Sequence, residues 1–405
     1  MSINNYCMVS TNMQYVLDLK AVSVSLYKYL CDEIIGSEKV VRYKRLYCKL
    51  HDDILDYSDS EFISSGRKAE GLDLPGSDVD MMFLFKTWEV YEVMPNNKEE
   101  VIILDTDNAL PCFALLKVDD DVSFLFPPTI TSQGNIIASN DFLDSICSKE
   151  ERDDAFYEIH GPSVSHSLIS DVDFVTCLKC HAWPNVAKKW LLRYRPSGWP
   201  SHDIISKVVT EGVLLVPIGS KSSSSAGNPL EWRFSFSLSE KLLVYSLSHC
   251  QLLCYSLLKI FLKEILNKNN ILNDKLCSYY MKTVLFWVLE EDKKLDWIPE
   301  NLLQCFLLCI QRLHYWILCE YIPNHFIPEH NMLDGKLSQE AVSYLSLFLD
   351  NINKPGRWKI ILSAPSLLNF RHKPINISRK LHRLTEFDAA VRPLQTFSTH
   401  IQLSN

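Results

Sequence analysis

The sequence has no excess of basic charge: 41 Lys and Arg against 49 Asp and Glu leave a formal charge of -8. That excludes a chain that holds nucleic acid by its overall charge, but not one with a local basic face. No charged-then-apolar segment opens the sequence, and the thirteen cysteines are odd in number and scattered. The expectation is reduced thiols in the cytosol or nucleus rather than a disulfide framework. No apolar run of membrane length is visible. The longest, around 305–322, is interrupted by Gln311, Arg312, His314 and Glu320 and reads as a buried helix. No internal repeat is found. The cysteine pairs Cys250/Cys254 and Cys305/Cys309 fall in apolar helix-like stretches, where free Cys behaves as a small buried hydrophobe. Cys177, Cys180 and His181 have zinc-like spacing but lack a second pair.

What is there describes a globular chain of 405 residues, 47% apolar and 22% charged, enough for two lobes. Residues 14–56 have helical periodicity and carry a basic run of Lys39, Arg42, Lys44, Arg45 and Lys49. Strand-like runs follow at 81–85, 101–104, 112–118 and 171–178, with "MPNNKEE" suggesting a hairpin between the first two. After the flexible composition of 219–228 the period turns helical. Ser237-x-x-Glu240 has the form of a capping box, and Arg233 to Lys259 reads as one continuous helix. The expected class is α+β. We divide the chain into an N-terminal helical spine (1–58), a mixed α/β core (59–225), an all-helical lobe (226–350) and a basic tail (351–405).

One stretch asks for chemistry. In "SSGRKAEGLDLPGSDVDMMFLF" (64–85), Asp78 and Asp80 sit two apart at the lip of an apolar strand. Residues i and i+2 of a strand share a face, and adjacent carboxylates repel unless a cation lies between them. Magnesium takes hard oxygen ligands from one or two carboxylates plus substrate phosphates. Asp171 and Asp173, again two apart in a later strand, would supply a third carboxylate for a two-metal site.

The pattern of glycine, a second residue, an interval of about ten and D-h-D-h resembles the nucleotidyltransferase signature. "AEGLDLPGSDVDMMF" is similar to the male-abnormal twenty-one family, particularly its animal cyclic GMP-AMP synthase-like receptors. Further segments agree in the family's order: "HGPSVS", "DFVTCLKCHAWPNVAKKW", "GWPSHDIISKVVTEGVLLVPIG", "EWRFSFSLSEK", "CSYYMKT" and "FIPEHNML", together spanning roughly 60–335. The resemblance implies a nucleotidyltransferase-fold mixed sheet with a long N-terminal helix, and a helix-hairpin-helix (H2TH-like) C-terminal lobe. It implies catalytic metal carboxylates at Asp78, Asp80 and Asp173, with Asp171 the fallback for the third. It implies nucleotide contacts from Gly66, Arg67, Arg233, Lys259, Ser278 and Tyr279, with Ser278 near the phosphates and Tyr279 stacking on a base. The implied cofactors are two Mg2+ or Mn2+ ions, and the implied substrates ATP and GTP. The spine's basic run would offer Lys39, Arg42, Lys44, Arg45 and Lys49 to a nucleic-acid activator such as double-stranded RNA.

Two departures qualify this. Where the family signature has serine after the glycine, this chain has Arg67. Between Arg233 and Lys259 the zinc-binding His/Cys insertion of the synthase is absent, so no structural zinc and no double-stranded DNA sensing are expected. The implied function is a synthase of a cyclic dinucleotide in innate immune signalling, in the cytoplasm or the nucleus, not associated with membranes. The alternatives are a catalytically inactive nucleotide-binding or scaffold member, favoured by Arg67, and a template-independent polymerase.

Overall fold

The computed structural model describes residues 18–72, 74, 79–96, 101–118, 128–132, 134–146, 157–160, 163–166, 172–220, 228–273 and 275–371. Among these, a mixed eleven-stranded sheet is followed by a helical lobe. The strands are β1 (Ser60–Ser65), β2 (Val79–Tyr91), β3 (Ile102–Asp105), β4 (Phe113–Val118), β5 (Thr129–Thr131), β6 (Gly134–Ile136), β7 (Tyr157–His160), β8 (Ser163–His166), β9 (Val172–Cys180), β10 (Val213–Val216) and β11 (Glu231–Ser235). Their spatial order is β1-β2-β3-β4-β11-β10-β9-β8-β7, and β2 also pairs in parallel with β9. The class expected from the sequence, α+β with a helical C-terminal lobe, is the class observed.

The helix expected over 14–56 is two helices. Residues 18–29 form α1, extended by a π turn at Leu30–Ile34, and α2 covers Glu38–Ile54. Gly36 separates them with φ +104, a conformation other residues rarely adopt, and a Cβ there would come within 2.7 Å of Val40 Cγ1. Strands β2 and β3 do not form the expected hairpin. They pair in parallel through Val90–Ile102 and Tyr91–Ile103, and β3 makes its antiparallel partnership with β4 instead. A parallel pair requires a crossover connection, which no two-residue turn supplies.

The continuous helix expected from Arg233 to Lys259 is replaced by β11, then α7 (Ser237–Tyr245) and α8 (His249–Phe261). β11 pairs with both β4 and β10, so the sheet extends past the expected lobe boundary at 226. The capping box lies not at Ser237–Glu240 but at Ser248 and Gln251, whose side chains and backbone N–H groups bond reciprocally. The N-cap of α7 is Phe236, which puts Ser237 inside the helix, and Glu240 is engaged by Lys282. The earlier helices α3 (Gly66–Ala69), α4 (Ser139–Ile146), α5 (Lys188–Leu192) and α6 (His202–Glu211) pack around the sheet. The helical lobe continues with α9 (Ser278–Glu291), α10 (Leu302–Leu318) and α11 (Gln339–Asn353). None of the helices among the described residues is long and apolar enough to cross a membrane.

The segment expected as a tail from 351 is folded as far as Arg371. Two 3-10 helices, Arg357–Ser363 and Pro365–Arg371, bury Trp358, Ile361, Leu362 and Leu367 in the main core. That core runs without a break from sheet residues such as Leu116, Leu178 and Trp232 into helical residues such as Leu253, Phe261 and Phe306. Burial on this scale is what holds the two lobes together. A second, smaller cluster matters more for the site. Ile63, Met82, Leu84, Cys177, Leu214 and Val216 form one face of the sheet, with Leu238 of α7 packed on it.

Candidate functional site

The small cluster has two carboxylates at its rim. Asp80 shares a strand face with Met82 and Leu84, and Asp173 shares one with Val175 and Cys177, by the two-residue period of a strand. The parallel ladder of β2 and β9 pairs Asp80 directly with Asp173. Paired residues on adjacent strands have backbones about 5 Å apart, so the two carboxylates stand side by side. Asp78 and Asp171 lie outside the described residues. Among those described, no group of three His, Cys, Asp or Glu stands close enough to hold a metal.

Gly66 ends β1 and opens α3 at φ +67. Its position is enforced: an added Cβ would lie 1.6 Å from Asp80 Oδ2 and 3.0 Å from Asp80 Cβ. Ser65 Oγ donates to the Asp80 carbonyl at 3.3 Å. The glycine turn therefore rests against the carboxylate pair, and Arg67 follows immediately, half-buried. Asp52 of α2 fixes the end of β1 from behind. It accepts hydrogen bonds from the Ser64 backbone N–H (2.8 Å) and hydroxyl, while Lys241 of α7 reaches Asp52 Oδ2 at 2.9 Å.

Beyond the turn lies a buried charge network that the sequence reading did not foresee. Glu70, at the end of α3, pairs with Lys282 at 2.6 Å and with Lys259 at 3.4 Å, and Lys282 pairs with Glu240 at 2.8 Å. Burial alone would raise the Glu70 carboxyl, but Lys282 and then Lys259 outweigh it and hold it below the usual carboxylate range. Burial lowers Lys259 to about 8, against the pull of Glu70, and its ammonium stands 4.3 Å from the Tyr255 ring centroid. For Lys282 the two carboxylates prevail over burial and raise it well above its ordinary value. Arg67 is close enough to Lys259 to help lower it. The spacing of Ser278 and Lys282, four apart on one helix, was the available signal for Lys282. Nothing local marked Glu70.

Ser278 and Tyr279 form the first turn of α9, the same helix that carries Lys282. Ser278 is exposed. Tyr279 is half-buried, and burial with the neighbouring Glu240, to which its hydroxyl hydrogen-bonds, raises it well above its ordinary value. Arg233 lies on β11 opposite Val216 and Phe113, not on a helix, and its charge acts on Cys112 and His330. Cys112 is held at φ 72, unusual for a residue with a side chain, at the entrance to β4. The charge of Glu240 reaches Cys112 as well, so Arg233 belongs to the same neighbourhood as Tyr279. Gly66 meets the Asp80–Asp173 pair and Tyr279 joins the Glu240–Lys282–Glu70–Lys259 network, while Arg67 and Arg233 are linked to it by their charge and Ser278 by its place on α9.

The expectation for the basic run of α2 changes. Arg45 is not part of a nucleic-acid surface: its Nε donates to the Glu70 carbonyl (2.9 Å), its Nη2 to the Val244 carbonyl (3.2 Å), and it lies over the Tyr245 ring. Lys44 turns inward to the Ile35 carbonyl at 3.4 Å. Lys39, Arg42 and Lys49 remain exposed. Cys177 and Cys180 cannot share an ion. Three apart on β9, they face opposite sides of the sheet, Cys177 in the small cluster and Cys180 in the main core. His181 pairs with Glu89 at 3.4 Å.

The mixed sheet, with its carboxylate pair and glycine turn, defines a nucleotidyltransferase-type architecture. The pattern "Mab-21 protein nucleotidyltransferase domain" matches residues 139–246, and "Mab-21 protein HhH/H2TH-like domain" matches residues 250–347. The chain belongs to the Mab-21 family, the male-abnormal twenty-one family of the sequence comparison. It is 27% identical over 190 residues to the cyclic GMP-AMP synthase of Mus musculus, covering 43% of this chain and 36% of the relative. It is 28% identical over 207 residues to the cyclic GMP-AMP synthase of Sus scrofa, covering 46% and 41%. Protein mab-21-like 3 of Danio rerio is 24% identical over 183 residues, covering 44% and 42%. The matched stretch spans less than half the length of each of these relatives.

Proposed function

We propose that this chain is a metal-dependent nucleotidyltransferase that joins ATP- and GTP-type substrates into a cyclic dinucleotide. The observation that carries the reading is the register pairing of Asp80 with Asp173 beside Gly66. Two hard-oxygen carboxylates and a glycine too crowded for a side chain fit magnesium or manganese with a triphosphate. Asp78, Asp80 and Asp173 would hold the ions, which when bound supply charge neutralisation at the phosphates and at the attacking oxygen. Asp173 accepts the proton of the attacking ribose hydroxyl, whose oxygen bonds to the α-phosphorus of the other triphosphate as pyrophosphate leaves, once for each of the two linkages. Arg67, Lys259 and Ser278 hold the triphosphate, Tyr279 stacks on a base, and Arg233 contacts the second nucleotide.

Arg67 takes a larger part here than the family's serine would. Glu70 and Glu240 already offset much of the charge of Lys259 and Lys282, so Arg67, next to the turn, adds positive charge for the triphosphate that Lys259 supplies only in part. An activator, with double-stranded RNA the first choice, binds the exposed cations Arg42 and Lys49 of α2, and the chain acts in the cytoplasm in innate immune signalling. The same partly neutralised lysines favour a second reading, a nucleotide-binding or scaffold protein without catalysis.

The test is product formation from four radiolabelled nucleoside triphosphates with magnesium or manganese, with and without double-stranded RNA or DNA. A phosphatase-resistant product that disappears in Asp80→Asn and Asp173→Asn establishes the enzyme. Nucleotide binding without product in any condition, with product appearing in Arg67→Ser, establishes the second reading. A product that survives both aspartate changes sinks the proposed site.

A further inference from the structure

We infer that the outer face of α2 is a self-association surface, on which a second copy of this chain docks in antiparallel orientation. The inner face of this helix is spent within the fold. Val41 is buried, His51 is nearly so, Arg45 and Asp52 are hydrogen-bonded inward, and Leu55 just beyond the helix packs under β1 and β2. The outer face is nevertheless apolar. Val40 is 41% exposed, Tyr43 55%, Leu46 51%, Leu50 52% and Ile54 68%. With the half-buried Tyr47 they follow the spacing 3, 4, 3, 4 through 40, 43, 47, 50 and 54. That is the heptad seam by which one helix packs against another, and the fold already buries a different stripe of the same helix.

The size and charge of the seam choose the occupant. The exposed parts of these side chains sum to on the order of 600 Å² per copy, the upper end of what a monomer shows in one patch. That lies near the ~800 Å² per partner of a standard specific interface. Lys39 and Asp53, two heptads apart, flank the seam on the same side, both exposed. Reversing a second copy brings each Lys39 to the other's Asp53. It also sets Val40 against Leu50 and Tyr43 against Tyr47, with Leu46 next to the two-fold axis. A parallel copy would place like charges together. Such a pairing is isologous and closes at two chains. The seam itself holds no cation, so a nucleic-acid backbone has nothing to pair with there and is left to the exposed cations beside it, Arg42 and Lys49.

Sedimentation equilibrium of the full chain, over roughly 1 to 100 µM, the range in which an interface of this size associates, tests the inference. Reversible association to twice the 46.7 kDa chain mass is expected. Leu50→Arg should weaken it about 30-fold or more, as central interface residues do, with circular dichroism and Tm unchanged. Lys39→Asp and Asp53→Lys should each weaken it, and the double exchange should restore it. A monomer throughout the range overturns the inference, as does a dimer indifferent to Leu50→Arg. Failure of the double exchange to restore association overturns the antiparallel arrangement.

Discussion

A methyl group on Gly66 would meet Asp80 Oδ2 at 1.6 Å, on a backbone already at φ +67. Gly66→Ala must either push the carboxylate away from Asp173 or unwind the turn. We expect a loss of about 1–3 kcal/mol of stability from the strained backbone, and a larger loss of nucleotidyl transfer. Thermal melts read beside single-turnover rates separate the two, and wild-type activity in the variant would show that the turn does not serve the site. Lys259 gives a pH signature. Burial brings it to about 8 in the fold, below its unfolded value near 10.5. Between those values the unfolded chain holds a proton that the folded chain has released, so this group makes the fold more stable as pH rises through that window. The expected slope is on the order of 1 kcal/mol per pH unit. Denaturant melts at pH 7.5 and 9.5 should show this gain as a difference between wild type and Lys259→Met, since the buried cysteines contribute equally to both; equal slopes would refute it. The D-x-D and the glycine were legible because local period and composition mark them. Glu70 was not, since its partners lie 189 and 212 residues further along the chain.

Single elements show where local patterns mislead. Helix α2 carries a basic run, yet one of its members, Arg45, pins α2 to the α3 turn and to the end of α7, where the Tyr245 hydroxyl also donates to the Ala69 carbonyl at 2.8 Å. Arg45→Met removes two hydrogen bonds, taking the Arg45 donor from the Glu70 carbonyl and leaving the Val244 carbonyl only the Leu247 N–H at 3.3 Å. It should cost about 2 kcal/mol, whereas Lys49→Met on the exposed face should stay within about 0.5 kcal/mol. Chemical denaturation of both variants checks this, and equal costs would return Arg45 to the surface. The α7–α8 stretch looked continuous because its apolar spacing hardly falters. The break comes at residues 246–248, where Ser248 begins a new helix with its own capping box. The Ser237–Glu240 pattern failed for a tertiary reason: Glu240 is taken by Lys282 on another helix.

Across the whole molecule, residues 357–371 close the helical lobe. Trp358 is 3% exposed, the Tyr29 hydroxyl donates to the Ser366 carbonyl at 3.1 Å, and Glu264 accepts from the Ser366 N–H at 2.9 Å. Trp358→Ala should cost about 3–5 kcal/mol by the cavity it leaves, and ending the chain after Asn353 should cost more. Thermal melting of both forms measures it. A truncated chain that melts with the wild type would show that this segment only decorates the surface. A second joint ties the lobes together: Glu290 lies between Arg193 (3.3 Å) and His325 (3.4 Å), with Arg195 at 3.9 Å. Burial, with both arginines adding to it, holds His325 well below its ordinary value, so it stays neutral in the fold.

The sequence alone determined the class of fold, the carboxylate-bearing strands, the glycine turn and the helical character of the second half. All of these follow from local period, composition and ordered motifs. Only the tertiary structure decided that β2 and β9 lie in parallel register, which is what brings Asp80 to Asp173. It also decided that Glu70 and Glu240 sit on Lys259 and Lys282, and that α2 buries one stripe and leaves another bare. Strand pairing, buried charge and exposure are properties of residues far apart in the chain, and no local pattern encodes which distant partner will be met.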